Sequence, residues 1–419
     1  MRTVLFVLLA TLAASNAVAE DAPNPAGCAG FAKNTTGSDA DCDSAIAKEK
    51  DPKAKSVMLF RRAYLEDAAG NFATYPKALA DLDEALRLWP DNISALHERA
   101  YLYNEYGRWT EAQTDLDRQV RVAPNKINGY TERALARFGL GDLQGVEEDR
   151  RTELLLQPNQ PRNYIAHARA LMWLGRFDEA RQDIARATDL AKRTADAEEL
   201  KNISSVQTDI GLWTNVSDPK LAKNACLGAK TEAEYYKPTF VGDCTRAFLD
   251  AQTNKEKADA LTQRSMMLPV AKQERSAGLG DLRIAYALDP SNPDHLFNLG
   301  SRLADVHRGL EAITYLDMAL KLKETHYAYS ARASAKYDLG DINGAFADAK
   351  KSFEIKPDIL ALTVLGDCFH TKDKTYNNAK IYWIAAYHLG DRDDGLIARL
   401  KDAGVPIPPP DDVPGTEKP

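Results

Sequence analysis

Histidines, cysteines and closely spaced acids are the residues that could do chemistry in this chain, and their spacing argues against most of it. The seven histidines, His97, His167, His295, His307, His326, His370 and His388, show no pair at metal-ligand spacing. Asp39, Asp41 and Asp43 alternate as in a calcium loop. Position six is Ser44, however, and position twelve is Lys50, so the needed glycine and bidentate glutamate are missing and a solvated acidic loop is expected. Gly139-Leu140-Gly141 and Gly278-Leu279-Gly280 resemble nucleotide-binding turns, but no strand precedes them, and turns between helices explain them better. No Walker loop, His-Glu-x-x-His, Cys-x-x-Cys or Gly-x-Ser-x-Gly occurs. No catalytic residue, metal site or cofactor is therefore expected.

Composition narrows the field further. The 419 residues are 44% hydrophobic and 27% charged, ordinary for a globular protein of two or three domains. With 54 Lys and Arg against 61 Asp and Glu, the net charge is −7, which disfavours nucleic acid and acidic membrane as partners. Arg2 precedes the apolar run Val4 to Ala13, and Ala17-Val18-Ala19 stands before Glu20, so residues 1–19 read as an export signal. The apolar run is well short of the roughly 18 residues a spanning helix needs, so no membrane insertion of the mature chain is expected.

The elements that must position any binding surface are announced by a repeat. Small residues stand at 100, 134 and 168, two successive steps of 34, inside Glu98-Arg99-Ala100-Tyr101, Glu132-Arg133-Ala134-Leu135 and Ala166-His167-Ala168-Arg169. Gly107, Gly141 and Gly175 keep the same step, as do Ala112, Val146 and Ala180, while Pro124 and Pro158 close two units. Leu96, Tyr103, Leu116 and Val120 recur at helical spacing. An earlier unit carries Arg62-Ala63-Tyr64, Ala78 and Pro90, and four more follow with Arg264-Ser265, Leu299-Gly300, Arg332-Ala333 and Leu365-Gly366.

A 34-residue unit with small residues at positions 8 and 20, glycine at 15 and proline at 32 resembles the tetratricopeptide repeat (TPR), in the style of an exported bacterial protein. The resemblance implies an all-α fold, an α-solenoid of about eight TPR helix pairs in two tandem four-repeat arrays. In that family the first helix of each unit lines a concave groove through positions 2, 5, 9, 12 and 13. Carried over, these positions are Tyr64 and Asp67, then His97, Tyr101, Asn104 and Glu105, then Asn128 and Thr131, then Arg162, Arg169, Met172 and Trp173. The second array offers Phe297, Tyr327, Tyr337, Asp338 and His370. The carboxylate clamp that grips chaperone tails is not expected, because its Lys and Asn positions hold Phe60 and Tyr64, or His97 and Tyr101.

Offsets near 200 link the arrays, as in Cys42 to Cys244, Arg62 to Arg264 and Ala112 to Ala312, and read as a tandem duplication. The duplication points to two disulfides, Cys28 with Cys42 and Cys226 with Cys244, and leaves Cys368 as a buried thiol; the alternative is that all are small buried residues. The expected organisation is a signal (1–19), a cysteine-bearing leader (20–57), array 1 (58–193), a closing helix (194–214), a linker (215–225), a second leader (226–257), array 2 (258–391), a closing helix (392–404) and a disordered Pro-rich tail (405–419). The expected function is a non-enzymatic periplasmic scaffold or adaptor for a protein or extended peptide, with secretion as the other location. The alternatives are a cell-envelope hydrolase of the cysteine-rich solenoid type and a glycan-binding module.

Overall fold

A computed structural model describes residues 39–68, 75–230, 232–272 and 278–407. The expected export signal, Cys28 and residues 408–419 of the expected tail lie outside them. Among the described residues there are twenty-two helices and no strand. The chain divides into two compact units, with the boundary between Asn215 and Val216.

The second pair of the first unit shows why this sequence folds as it does. Asn92 caps the first helix, its side chain accepting from the Ala95 amide at 3.2 Å, which satisfies one of the donors a helix start leaves open. The turn is made by Gly107 at φ 71°, a left-handed conformation that a side chain would strain. Trp109 opens the second helix. Ala100 and Ala112, both fully buried, let the two helices approach closely. Gly141, Gly175 and Gly340 repeat the left-handed turn in other pairs.

In the first unit, α1 (Asp39–Lys48) precedes four pairs: α2 (Pro52–Ala68) with α3 (Tyr75–Leu88), α4 (Ile93–Glu105) with α5 (Trp109–Val122), α6 (Ile127–Gly139) with α7 (Leu143–Leu156), and α8 (Pro161–Trp173) with α9 (Phe177–Thr194). Helix α10 (Ala197–Thr214) closes the stack. The acidic stretch at Asp39–Asp43 is thus helical and not a loop, and Asp43 is drawn into an ion pair with Arg62 at 2.6 Å.

The second unit begins with α11 (Ala222–Leu227), α12 (Glu232–Tyr235) and α13 (Phe240–Asp250). Its pairs are α14 (Asn254–Lys272) with α15 (Leu279–Leu288), α16 (Pro293–Asp305) with α17 (Gly309–Leu322), α18 (His326–Asp338) with α19 (Ile342–Ile355), and α20 (Ile359–Asp373) with α21 (Ala379–His388); α22 (Asp394–Asp402) follows. The segment read as a linker is already helical from Ala222. Within it, Ser217 donates through its amide and its hydroxyl to Asp243 Oδ1, both at 2.9 Å. Cys226 and Cys244 are joined, with Cα atoms 4.9 Å apart, tying α11 to α13. Cys42 is also disulfide-bonded, while Cys368 is free and buried.

Candidate binding face

The first helices of successive pairs meet along one face in each unit, and most of the expected ligand residues lie there. In the first unit Tyr64, Tyr101, Glu105, Asn128, Thr131, Arg162 and Trp173 are half-buried and Arg169 is exposed. Tyr64 packs against Phe60, ring centroids 6.4 Å apart, and the Thr131 hydroxyl donates to Ile127 O at 3.3 Å. The side chain of Asp67 lies outside the described ones.

Three expected residues are covered instead. His97, Asn104 and Met172 are 9%, 1% and 3% exposed. Asn104 Nδ2 donates to Glu132 of the next pair, 3.1 Å to its carbonyl and 3.0 Å to its carboxylate. Burial pushes the His97 imidazole below its ordinary pKa, with the Glu132 charge and Gln119 pulling the other way. Met172 lies on α8, against which α10 packs. The same contact engages exposed Arg169 and half-buried Trp173: Asp209 of α10 stands 3.8 Å from Arg169, and Trp213 meets Trp173 edge-on at 5.1 Å. Phe138 of α6 also meets Trp173 edge-on at 5.4 Å, so three rings from three helices are in contact.

The second unit carries its own row. Phe297 of α16 meets Tyr327 of α18 edge-on at 4.4 Å, and the Tyr327 hydroxyl donates to Asp294 at 3.4 Å. Tyr337 and Thr371 hydroxyls share a 2.9 Å hydrogen bond between α18 and α20. His370 stacks on Tyr376 at 4.8 Å, and Asp338 is exposed beside His307.

What spaces these first helices is a set of polar clamps that the sequence reading missed. Arg99 forks onto Asp115 of its own pair with both bonds at 2.7 Å, while its third nitrogen reaches Asp83 of the preceding pair at 2.7 Å. Arg133 does the same with Asp149 and Asp117, and Arg332 with Asp348 and Asp317. Arg62 joins Asp81 and Asp43, and Arg264, fully buried, joins Asp281 and Thr245. A planar guanidinium suits this work, since its fork fits one carboxylate and leaves a donor for another. The signal was present in sequence: an arginine directly before the small residue at position 8, with an aspartate 16 residues on for Arg99, Arg133 and Arg332, 17 for Arg264 and 19 for Arg62.

Every pair also buries a small residue at position 8, from Ala63, Ala100, Ala134 and Ala168 to Ser265, Gly300, Ala333 and Gly366. A second buried small or β-branched residue, among them Ala78, Ala112, Val146, Ala180, Ala312, Ala345 and Ala379, faces it from the partner helix. These are TPR-type repeats. Solved structures similar to the chain include a MamA protein (19% identity, TM-score 0.31, covering 36% of this chain and 88% of that one). A tetratricopeptide repeat protein from Parabacteroides merdae is 13% identical, with a TM-score of 0.31 over 75% of this chain and 98% of its own. Yeast Tom70 is 13% identical, with a TM-score of 0.34 over 87% and 91%. No family model and no curated protein matches the chain. The TPR assignment rests on the register of buried residues in this chain itself.

Burial pushes the Cys368 thiol up to about 11, so little of it is thiolate near neutrality. Among the described residues no group of three or more His, Cys, Asp or Glu could hold a metal ion, and no helix is long and apolar enough to cross a membrane.

Proposed function

We propose that this protein is an exported, non-enzymatic scaffold that takes a protein or extended peptide along the first-helix faces of its TPR units, in the periplasm. One observation carries the reading. Half-exposed Tyr101 on α4 and Arg162 on α8 of the first unit, and Tyr327 and Tyr337 on α18 of the second, all stand on first helices, and aromatic and arginine side chains are the types that dominate interface energetics. A stack of helix pairs supplies a long surface, which suits a chain better than a small molecule. Arg169 and Trp173 contribute less directly than their residue types imply, since α10 already meets both.

Photo-crosslinking in whole cells tests it. A photoreactive residue at Tyr101 or Tyr327 should trap one recurring protein partner, while the same group at Arg181 or Lys350, exposed on second helices, should not. Equal labelling from both faces, or none from Tyr101 and Tyr327, would remove the proposal.

A further inference from the structure

Among the described residues, five polar clamps are built on arginine and a sixth is not. His167 falls 34 residues after Arg133, at the same place in its pair. Its Nδ1 lies 2.6 Å from Asp183 Oδ2 on α9 and its Nε2 3.4 Å from Glu147 Oε1 on α7, so one ring joins its own pair to the preceding one. The imidazole is 11% exposed and Glu147 3%. Arg176, just before α9, reaches Glu147 Oε1 at 3.2 Å and forks onto Glu179, whose charge acts on the imidazole from the same helix end. Arg151 stands 16 residues before His167, the register from which Asp83 and Asp117 reach their arginines. Helix α7 therefore offers no acid there, and Glu147, one turn earlier, takes that part.

An arginine stays charged at any physiological pH, whereas an imidazole changes charge near neutrality. With both nitrogens protonated, His167 donates to both carboxylates. After losing one proton it can donate to only one of them, and the 2.6 Å contact to Asp183 is the shorter. We propose that His167 makes the seating of the fourth helix pair on the third depend on pH, tight in mild acid and looser in mild alkali. The inference stands apart from the binding reading, yet it bears on the same face, because α8 carries both His167 and the Arg169 and Trp173 that meet α10.

The sign follows from the neighbours. Burial by itself lowers the imidazole, but the hydrogen bonds and charges of Asp183 and Glu147 outweigh it, and the result lies above the ordinary value. A histidine raised on folding contributes fully below its unfolded pKa of about 6.5, and that contribution is lost as pH rises through the folded value. His97 and His295 run the other way. Burial holds both below the ordinary value, so what they contribute is lost as pH falls. A readout local to α8 is therefore required.

Hydrogen exchange of the full chain, corrected for intrinsic amide rates and compared at about pH 6 and about pH 8.5, supplies it. Amides of residues 161–173 should lose protection by roughly threefold on going to the higher pH, and this change should vanish in His167→Gln and His167→Arg. Should the arginine variant fail to fold beside Arg151, His167→Gln alone decides. NMR gives a second readout that a purely structural side chain would not move: the His167 ring should titrate above an ordinary histidine, and Asp183→Asn should bring it down. No pH-linked change around α8, the same change in His167→Gln, or a ring titrating at or below the ordinary value would each overturn the proposal.

Discussion

Single residues show where this repeat obeys its own rules and where it bends them. The turn after the first helix uses a left-handed glycine at Gly107, Gly141, Gly175 and Gly340, but in the sixth pair the same conformation is held by His307 at φ 63°. A side chain in that region costs about 1–2 kcal/mol, and an imidazole that is mostly exposed recovers little of it from an aspartate 3.8 Å away. Glycine carries an entropic penalty of its own, roughly 0.5–1 kcal/mol. His307→Gly should therefore stabilise the protein by about 0.5–1 kcal/mol, read from the urea midpoint at constant slope. A lower midpoint would mean that His307 makes a contact worth more than its strain. Glycines inside helices answer to a different demand: a Cβ at Gly366 would stand 2.4 Å from the Trp383 ring nitrogen, so that glycine is there for close approach and not for its backbone freedom.

At the scale of helices, the clamps divide labour with the small buried residues. Alanine and glycine at positions 8 and 20 decide how near two helices lie, and the arginine decides which neighbouring helix is reached. Arg99, 20% exposed, holds Asp115, which is 6% exposed, and also touches the more exposed Asp83. Removing one partner of such a buried pair leaves a charge without compensation and costs about 3–5 kcal/mol, whereas surface pairs such as Arg108 with Glu111 are worth less than about 1 kcal/mol. Arg99→Ala should thus lower stability by about 3 kcal/mol or more, and Arg108→Ala by under 1 kcal/mol, measured by chemical denaturation. Similar losses for the two would show that the clamp is no stronger than a surface ion pair. Pairs without arginine at this place solve the problem otherwise: Leu299 is buried there in the sixth, with Arg283 and Glu311 joining the adjacent second helices at 3.1 Å, and Asp367 ties α20 to α21 through the Trp383 indole at 2.9 Å and to α22 through Arg399 at 3.0 Å.

Across the whole molecule, each unit carries its own core, and the disulfide between Cys226 and Cys244 belongs to the second. Closing a loop of 18 residues constrains the unfolded chain by about 3 kcal/mol, so a Cys226→Ser, Cys244→Ser variant should melt its second unit earlier while the first unit's transition stays in place. Calorimetry of the full chain would check this, and an unmoved second transition would refute it. The sequence by itself determined the helical pairs, the positions of the buried small residues, the left-handed turns, the Cys226–Cys244 bond and the burial of Cys368. Those features are local, or repeat so regularly that periodicity displays them. Tertiary structure alone decided which side chains on the first helices remain open. His97, Asn104 and Met172 are buried where their register counterparts Thr131, Phe138 and Tyr337 are half-buried, and Asn104 is held by Glu132 of the next pair, 28 residues on. It also decided that Asp43 belongs to a helix and a clamp, and that α10 occupies Arg169 and Trp173. Periodicity records which face of a helix is buried, but a partner's identity is fixed by how two helices cross, and no spacing within one helix carries that information.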